Sequence, residues 1–282
     1  MAETVTPSPL RCPCAGDRFE PVCFYAAPPE GEIAFAFSRA VGYRRQVLCC
    51  EVCGHFVSRH DMDMTAMYAG AYVDATYGDG GIRRAFDRIV ALDAPASDNA
   101  GRVSRVLAFA AVHFTPAGAT PSVLDVGSGL CVFLHRMKAT GWRCTALDPD
   151  PRAVAHARET VGVHAVFGDF MTADGLERFD VVTFNKVLEH VEDPVAMLAK
   201  SLHHLTARGF VYLELPDGEA AVLEGPHREE FFIDHLHVFS AASVTLLAVR
   251  AGFRVAALER LREPSGKYTL RAFLVPGPVK AL

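Results

Sequence analysis

The stretch PSVLDVGSGLCVFL, Pro121 to Leu134, constrains this chain more than any other. An apolar run breaks at Asp125, turns on Gly127 and Gly129, and resumes with apolar residues. That pattern predicts a strand, a tight turn and a helix, with a ligand over the turn. A dinucleotide fingerprint needs a further glycine, G-x-G-x-x-G, but position 132 is valine. The phosphate-loop pattern fails as well, because no Gly-Lys-Ser/Thr follows. What remains is an acid two residues ahead of the turn Gly127-Ser128-Gly129. Its carboxylate is placed to bond a cationic amine or to orient the loop amides.

Around this stretch, strand and helix patterns alternate. A helix is predicted from Asn99, with Val103, Val106, Leu107 and Ala110 at helical spacing. Strand SVLDVG leads to helix VFLHRMKATG, and strand CTALD to helix PRAVAHARETV. Then follow HAVFGD, FDVVTFN, helix DPVAMLAKSLHHL, strand GFVYLELP, helix AASVTLLAVRAG and strands FRVAALER and YTLRAFLVP. Such alternation predicts an α/β fold with a mainly parallel sheet of seven strands and helices on both faces. No helix separates the last two strands, so the final one is expected to enter antiparallel.

The strand ends carry acids. Asp148, followed by Pro149, comes 19 residues after Gly129 and closes the second strand. A carboxylate there suits the two hydroxyls of a ribose. A diol-binding acid beside a turn without the phosphate fingerprint favours an adenosine carrying an amino-acid tail, S-adenosylmethionine. Asp169 closes the third strand, where it could accept from the adenine amino group while Phe170 flanks the ring. FDVVTFNKVLEHVEDP closes the fourth strand at Asn185, which joins the cofactor set. Over about residues 100 to 275 these motifs resemble the class I methyltransferases, which implies a Rossmann-like fold. The family's usual third glycine is Cys131 here, narrowing the room near the methionine tail.

Six of the eight cysteines lie in the first 53 residues. In a reducing compartment such crowding argues for metal rather than disulfides. Cys12 and Cys14 form one pair; Cys50 and Cys53, followed by Gly54, form another. Four thiolates make a closed tetrahedral site for structural zinc, with no open position for catalysis. Cys23, Cys49 or His55 could substitute for a member of the first pair. The expected organisation is a small zinc-ribbon-like module (residues 1–60), a linker or lid segment (61–98) and a methyltransferase domain (99–282). A zinc module ahead of this domain resembles sugar C-methyltransferases of deoxysugar pathways and related natural-product and glycan methyltransferases.

Two regions offer a base. Glu189 and His190 follow the fourth strand, and REEFFIDHLHVFS, Arg228 to Ser240, carries Asp234, His235 and His237. The second stretch resembles the family's E-H-x-x-x-F-S segment. That resemblance implies proton removal by His235 with its acidic neighbour Asp234, and makes Phe232 the replacement of a usual tyrosine. His190 is the second candidate. His237 reads as a partly buried loop histidine, and Glu229 and Glu230 as surface carboxylates. Tyr68, Tyr72 and Tyr77, beside the Gly78–Gly81 break, could close over the acceptor or fasten the zinc module to the sheet.

A net charge of -5 gives no electrostatic case for nucleic acid. Arg44-Arg45 and Arg83-Arg84 are too short to form a basic patch and read as solvated surface. No segment approaches the ~18–20 apolar residues of a membrane span, and the start lacks the pattern of a signal peptide. A cytoplasmic enzyme acting on a small-molecule acceptor is expected. A macromolecular methyltransferase and a non-catalytic cofactor-binding scaffold are the alternatives.

Overall fold

The computed structural model describes residues 10–32, 42–60, 62, 81–114 and 120–277. Tyr68, Tyr72 and Tyr77 lie outside them. The strands are β1 (Phe19–Tyr25), β2 (Arg45–Cys50), β3 (Phe56–His60), β4 (Ser122–Val126), β5 (Arg143–Asp148), β6 (His164–Phe167), β7 (Phe179–Asn185), β8 (Leu205–Pro216), β9 (His237–Val238), β10 (Phe253–Arg262) and β11 (Tyr268–Pro276). The helices are α1 (Gly81–Val90), α2 (Asp98–His113), α3 (Val132–Ala139), α4 (Pro151–His156), α5 (Pro194–Lys200), α6 (Gly218–Ala221) and α7 (Ala241–Arg250).

The larger sheet has seven strands in the order β10-β11-β8-β7-β4-β5-β6. The five from β8 to β6 run parallel. As expected, β11 enters antiparallel, between β10 and β8. Alternate side chains of each central strand serve opposite cores. Val123, Val181, Phe210 and Tyr212 pack with Val106, Phe133 and Met137 from α2 and α3. Leu124, Val126, Val182, Phe184 and Leu213 pack with Leu198, Val244 and Leu247 from α5 and α7. Each large apolar side chain buried this way contributes about 1.5–3 kcal/mol, so the central strands must be apolar on both faces. The sheet is the Rossmann-like one expected.

The cysteine-rich end forms a second sheet, β1-β2-β3-β9. Its last strand comes from the loop after β8: β3 pairs antiparallel with β9, Phe56 opposite Val238 and Val57 opposite His237. Ser58 also donates its amide to the Leu236 carbonyl at 3.0 Å. Gly218 allows this close approach, since a Cβ there would lie 2.5 Å from the Phe56 ring.

Two surface expectations are corrected. Arg45 is fully buried beneath the loop before β9. Its guanidinium pairs with Glu32 at 3.2 Å, donates to the Phe231 carbonyl at 2.6 Å, and stacks 4.2 Å from the Tyr25 ring. Glu32 accepts the Ile233 amide at 2.7 Å. A charge can be buried when its partners are this complete. Glu230 is also buried, held by Arg228 at 2.8 Å and by the Tyr268 amide at 2.6 Å. Within the expected linker, α1 is helical and packs on the fold, with Phe86 edge-on to His135 and His156.

Candidate active site

The C-terminal ends of the parallel strands gather the predicted cofactor residues. Gly127 and Gly129 have left-handed backbone angles, φ +67° and +47°. At Gly127 a Cβ would also meet Val187 at 2.9 Å, so only glycine fits. Above Gly129 the space is open. Asp148 accepts the Gly129 amide at 2.8 Å on one oxygen and the Asp150 amide at 2.9 Å on the other. Burial pushes its carboxyl above the usual range. Each oxygen keeps a second lone pair for a ligand hydroxyl. Pro149 is exposed beside it, and Cys131 caps α3 in the left-handed region, φ 59°, where the family has glycine.

Asp125 is buried and accepts from the Thr183 hydroxyl at 2.6 Å and the Asn185 amide at 2.8 Å. Desolvation outweighs these bonds and raises its carboxyl to about 6. Ser128 Oγ and Asn185 Oδ1 are buried and lack a hydrogen-bond partner among the described residues. Unpaired polar atoms around an open glycine turn are what a polar ligand would satisfy, so this edge fits S-adenosylmethionine. Asp169 is exposed and accepts the Met171 amide at 2.8 Å. Phe170 differs from the expectation that it flanks the adenine. It is buried in the core, edge-on to Phe184, because the chain turns inward after β6.

The raised Asp125 carboxyl carries a stability cost with a definite sign. Its folded value, about 6, exceeds the ordinary 3.8. The folded state is therefore penalised above pH 6 and relieved as pH falls toward 3.8. Asp125→Asn keeps an acceptor for Thr183 and Asn185 without the charge. It is expected to gain about 1–3 kcal/mol of stability at pH 8. By pH 4 the gain should have mostly vanished. Urea unfolding at both pH values tests this; a variant less stable at pH 8 would contradict it.

The predicted base residues also converge. Glu189, His190 and His235 each offer a donor atom within 4.8 Å of the other two. His190 Nδ1 lies 2.7 Å from the Asp234 carbonyl, and His235 Nδ1 lies 2.8 Å from the Glu230 carbonyl. A carbonyl only accepts, so each Nδ1 carries the proton and, in the neutral ring, Nε2 holds a lone pair. Burial lowers the His235 pKa and favours that neutral ring, against the opposing pull of Asp234. Asp234 Oδ2 stands 3.9 Å from His235 Nε2. His237 differs from the expected loop residue: it is fully buried on β9, its Nδ1 3.0 Å from His55 Nε2.

Sequence reasoning missed a charge cluster at the ends of β8 and β11. Glu214 and Arg271 are opposite each other in register, both buried, at 2.9 Å. Glu214 also accepts from the Tyr212 hydroxyl at 2.6 Å and from Arg102 of α2. Arg271 grips both Glu263 oxygens at 2.8 and 2.9 Å. Lys186, in the left-handed region at φ 62°, gives its Nζ to Thr269 at 2.7 Å. Lone charges inside YLELP and TLRAF were the available signal. Their pairing needed the strand order.

At the other end, Cys12, Cys14, Cys50 and Cys53 come together. Their sulfurs lie 3.2 Å (Cys12 to Cys53), 3.3 Å (Cys12 to Cys14) and 3.5 Å (Cys14 to Cys50) apart, too far for disulfides. The Gly16 amide donates to Cys14 Sγ at 3.2 Å. A convergent set of four thiols with an amide turned toward sulfur fits zinc. Cys23, Cys49 and His55 stand outside this group; His55 is turned to Ser243 and His237 instead.

Comparisons with known proteins agree with this geometry. A family model described as a methyltransferase domain matches residues 94–258. A ubiquinone biosynthesis O-methyltransferase of Xanthomonas axonopodis pv. citri is 32% identical over 114 residues, 38% of this chain and 47% of the relative. Its counterpart in Aromatoleum aromaticum is 30% identical over 97 residues, 32% of this chain and 42% of the relative. The chain thus spans less than half the length of these curated relatives. Magnesium protoporphyrin IX methyltransferase from Synechocystis PCC 6803 superposes with a TM-score of 0.56 at 14% identity, over 76% of this chain and all of the other. A Burkholderia thailandensis 1,6-didemethyltoxoflavin N1-methyltransferase gives 0.52 at 19%, over 88% of this chain and all of the other. Among the described residues no helix is long and apolar enough to cross a membrane. The chain belongs to the methyltransferase domain family.

Proposed function

We propose that this chain methylates an oxygen or an activated carbon of a small cytoplasmic acceptor, a sugar nucleotide, glycan or natural product, with His235 and Asp234 taking the acceptor's proton. The observation that carries the reading is the fixed His235 ring. Its Nδ1–H is committed to the Glu230 carbonyl, which leaves Nε2 as a base beside Asp234. Asp148 would hold the ribose, the Gly127–Gly129 turn and Asp125 the methionine end, and Asp169 the adenine amino group. The curated relatives are named O-methyltransferases, which favours oxygen. The four amino-terminal thiolates would hold a structural zinc.

In the reaction the acceptor O–H or C–H loses its proton to His235 Nε2. The resulting lone pair forms a bond to the methyl carbon, the carbon–sulfur bond breaks, and its electron pair returns to sulfur. The sulfonium becomes a neutral thioether. Because sulfonium is already a good leaving group, alignment and proton removal are what the protein must supply.

His235→Ala is expected to leave S-adenosylhomocysteine affinity within about threefold while turnover of a responsive acceptor falls about 100-fold or more. Calorimetric titration and single-turnover kinetics measure the two. Unchanged turnover would remove His235 from this role. Absent binding to the folded wild-type chain would overturn the cofactor reading itself.

A further inference from the structure

We propose that Glu189, His190 and His235 form a binding site for a divalent first-row cation, separate from the four thiolates. The inference rests on the reading of this cluster as the place where the acceptor is activated.

Glu189 is the first reason. It is 0% exposed, and neither carboxylate oxygen has a hydrogen-bond partner among the described residues. A buried carboxylate without partners costs several kcal/mol, so a neutralising group is expected. The nearby cations are committed elsewhere. Lys186 feels the Glu189 charge, but its Nζ bonds Thr269. Arg102 and Arg271 serve Glu214 and Glu263.

The histidines are the second reason. A metal-binding imidazole characteristically gives its other N–H to a backbone carbonyl, which fixes the tautomer and aims the lone pair. His190 and His235 both do this, through the Asp234 and Glu230 carbonyls. Their ring centres stand 5.0 Å apart.

Distance is the third. Bonds of about 2.1 Å to one ion hold its donors at most about 4.2 Å apart. The three donors here lie within 4.8 Å of one another, against about 3.4 Å between donors in a tetrahedral site, so rotamer adjustments of about an ångström would close it. Two imidazoles and one carboxylate leave positions open for an acceptor oxygen, a donor set suited to manganese, iron or zinc.

The cation would bind the acceptor oxygen and stabilise its anion. In the metal-loaded protein His235 Nε2 is a ligand and the Asp234 carboxylate beside it takes the acceptor's proton; in the metal-free protein His235 takes it, as proposed above. One nitrogen thus holds either a proton or the cation.

The test uses the full chain after zinc has filled the thiolate site. Mn2+ is titrated and followed by electron paramagnetic resonance, and in parallel the zinc retained on dialysis against excess zinc is counted. One Mn2+ per chain, or a second zinc, is expected, weakened at least tenfold in both Glu189→Gln and His235→Asn. Failure of the folded wild-type chain to bind either ion at this stoichiometry would overturn the site. Binding that both substitutions leave unchanged would overturn it equally. S-adenosylhomocysteine affinity, measured on the same samples, reports on the methyltransferase reading separately, because the cofactor edge shares none of these ligands.

Discussion

Glu214→Ala is expected to cost about 3–5 kcal/mol of stability, a large share of what a domain possesses. The cost comes from what the carboxylate leaves behind. Arg102, Arg271 and the Tyr212 hydroxyl would lose a common partner in a largely buried region. Burial alone would raise the Glu214 carboxyl; Arg102, with Arg271 and Lys186, outweighs it and holds the group down at about 2. A carboxyl held below its ordinary 4.5 stabilises the fold fully above that pH. The contribution is lost as pH falls toward 2, so the difference between wild type and variant should shrink in acid. Glu259→Ala supplies the control. Its pair with Arg105 is solvent-exposed, and its loss should cost less than about 1 kcal/mol. Urea unfolding of the three proteins at pH 7 and pH 3 decides the matter. Equal losses for the two variants at pH 7 would mean that the buried network does not bear on stability.

Much of this edge was legible in the sequence because its determinants are local. Asp125, Gly127, Gly129 and Asp148 each lie at the junction of an apolar run and a turn, so spacing alone puts them at strand ends. The paired cysteines were legible for the same reason. What could not be read was contact between distant segments. Arg45 looked like half of a short basic run, yet its partners are Glu32 and a carbonyl nearly two hundred residues away. Glu230 and His237 sit in a stretch whose polarity suggests solvent, yet both are buried, and His237 belongs to β9, paired with β3. Phe170 follows the expected motif and still turns into the core, since a motif fixes the backbone's place without fixing the side chain's direction. Glu214 and Arg271 explain each other only once β8 and β11 are known to be neighbours.

The largest effect should follow loss of the thiolate cluster. Cys50→Ser is expected to reduce zinc content from about one per chain to less than a tenth of that, because structural zinc binding is worth about 10–16 kcal/mol in small modules and depends on all four ligands. The consequence should not stay at the amino terminus. Ser240 donates to the Cys53 carbonyl at 2.5 Å, and Arg250 of α7 donates to the carbonyls of Cys12 and Pro13 at 3.4 and 3.1 Å. From there β3 pairs with β9, and β9 directly follows the segment that carries Asp234 and His235. Freeing the thiolate turn is therefore expected to loosen one side of the loop proposed to serve the acceptor, while β4 and β5 with their glycine turn remain in the larger sheet. Amide hydrogen exchange should rise at least tenfold across residues 45–60 and 236–240 and remain unchanged across 122–126 and 143–148. Turnover should fall at least tenfold, with S-adenosylhomocysteine affinity altered less than threefold. Cys144→Ser, outside the cluster, should retain its zinc and its exchange pattern. A zinc-free wild-type protein, or exchange that rises only over residues 45–60, would break the proposed link between the metal module and the catalytic loop.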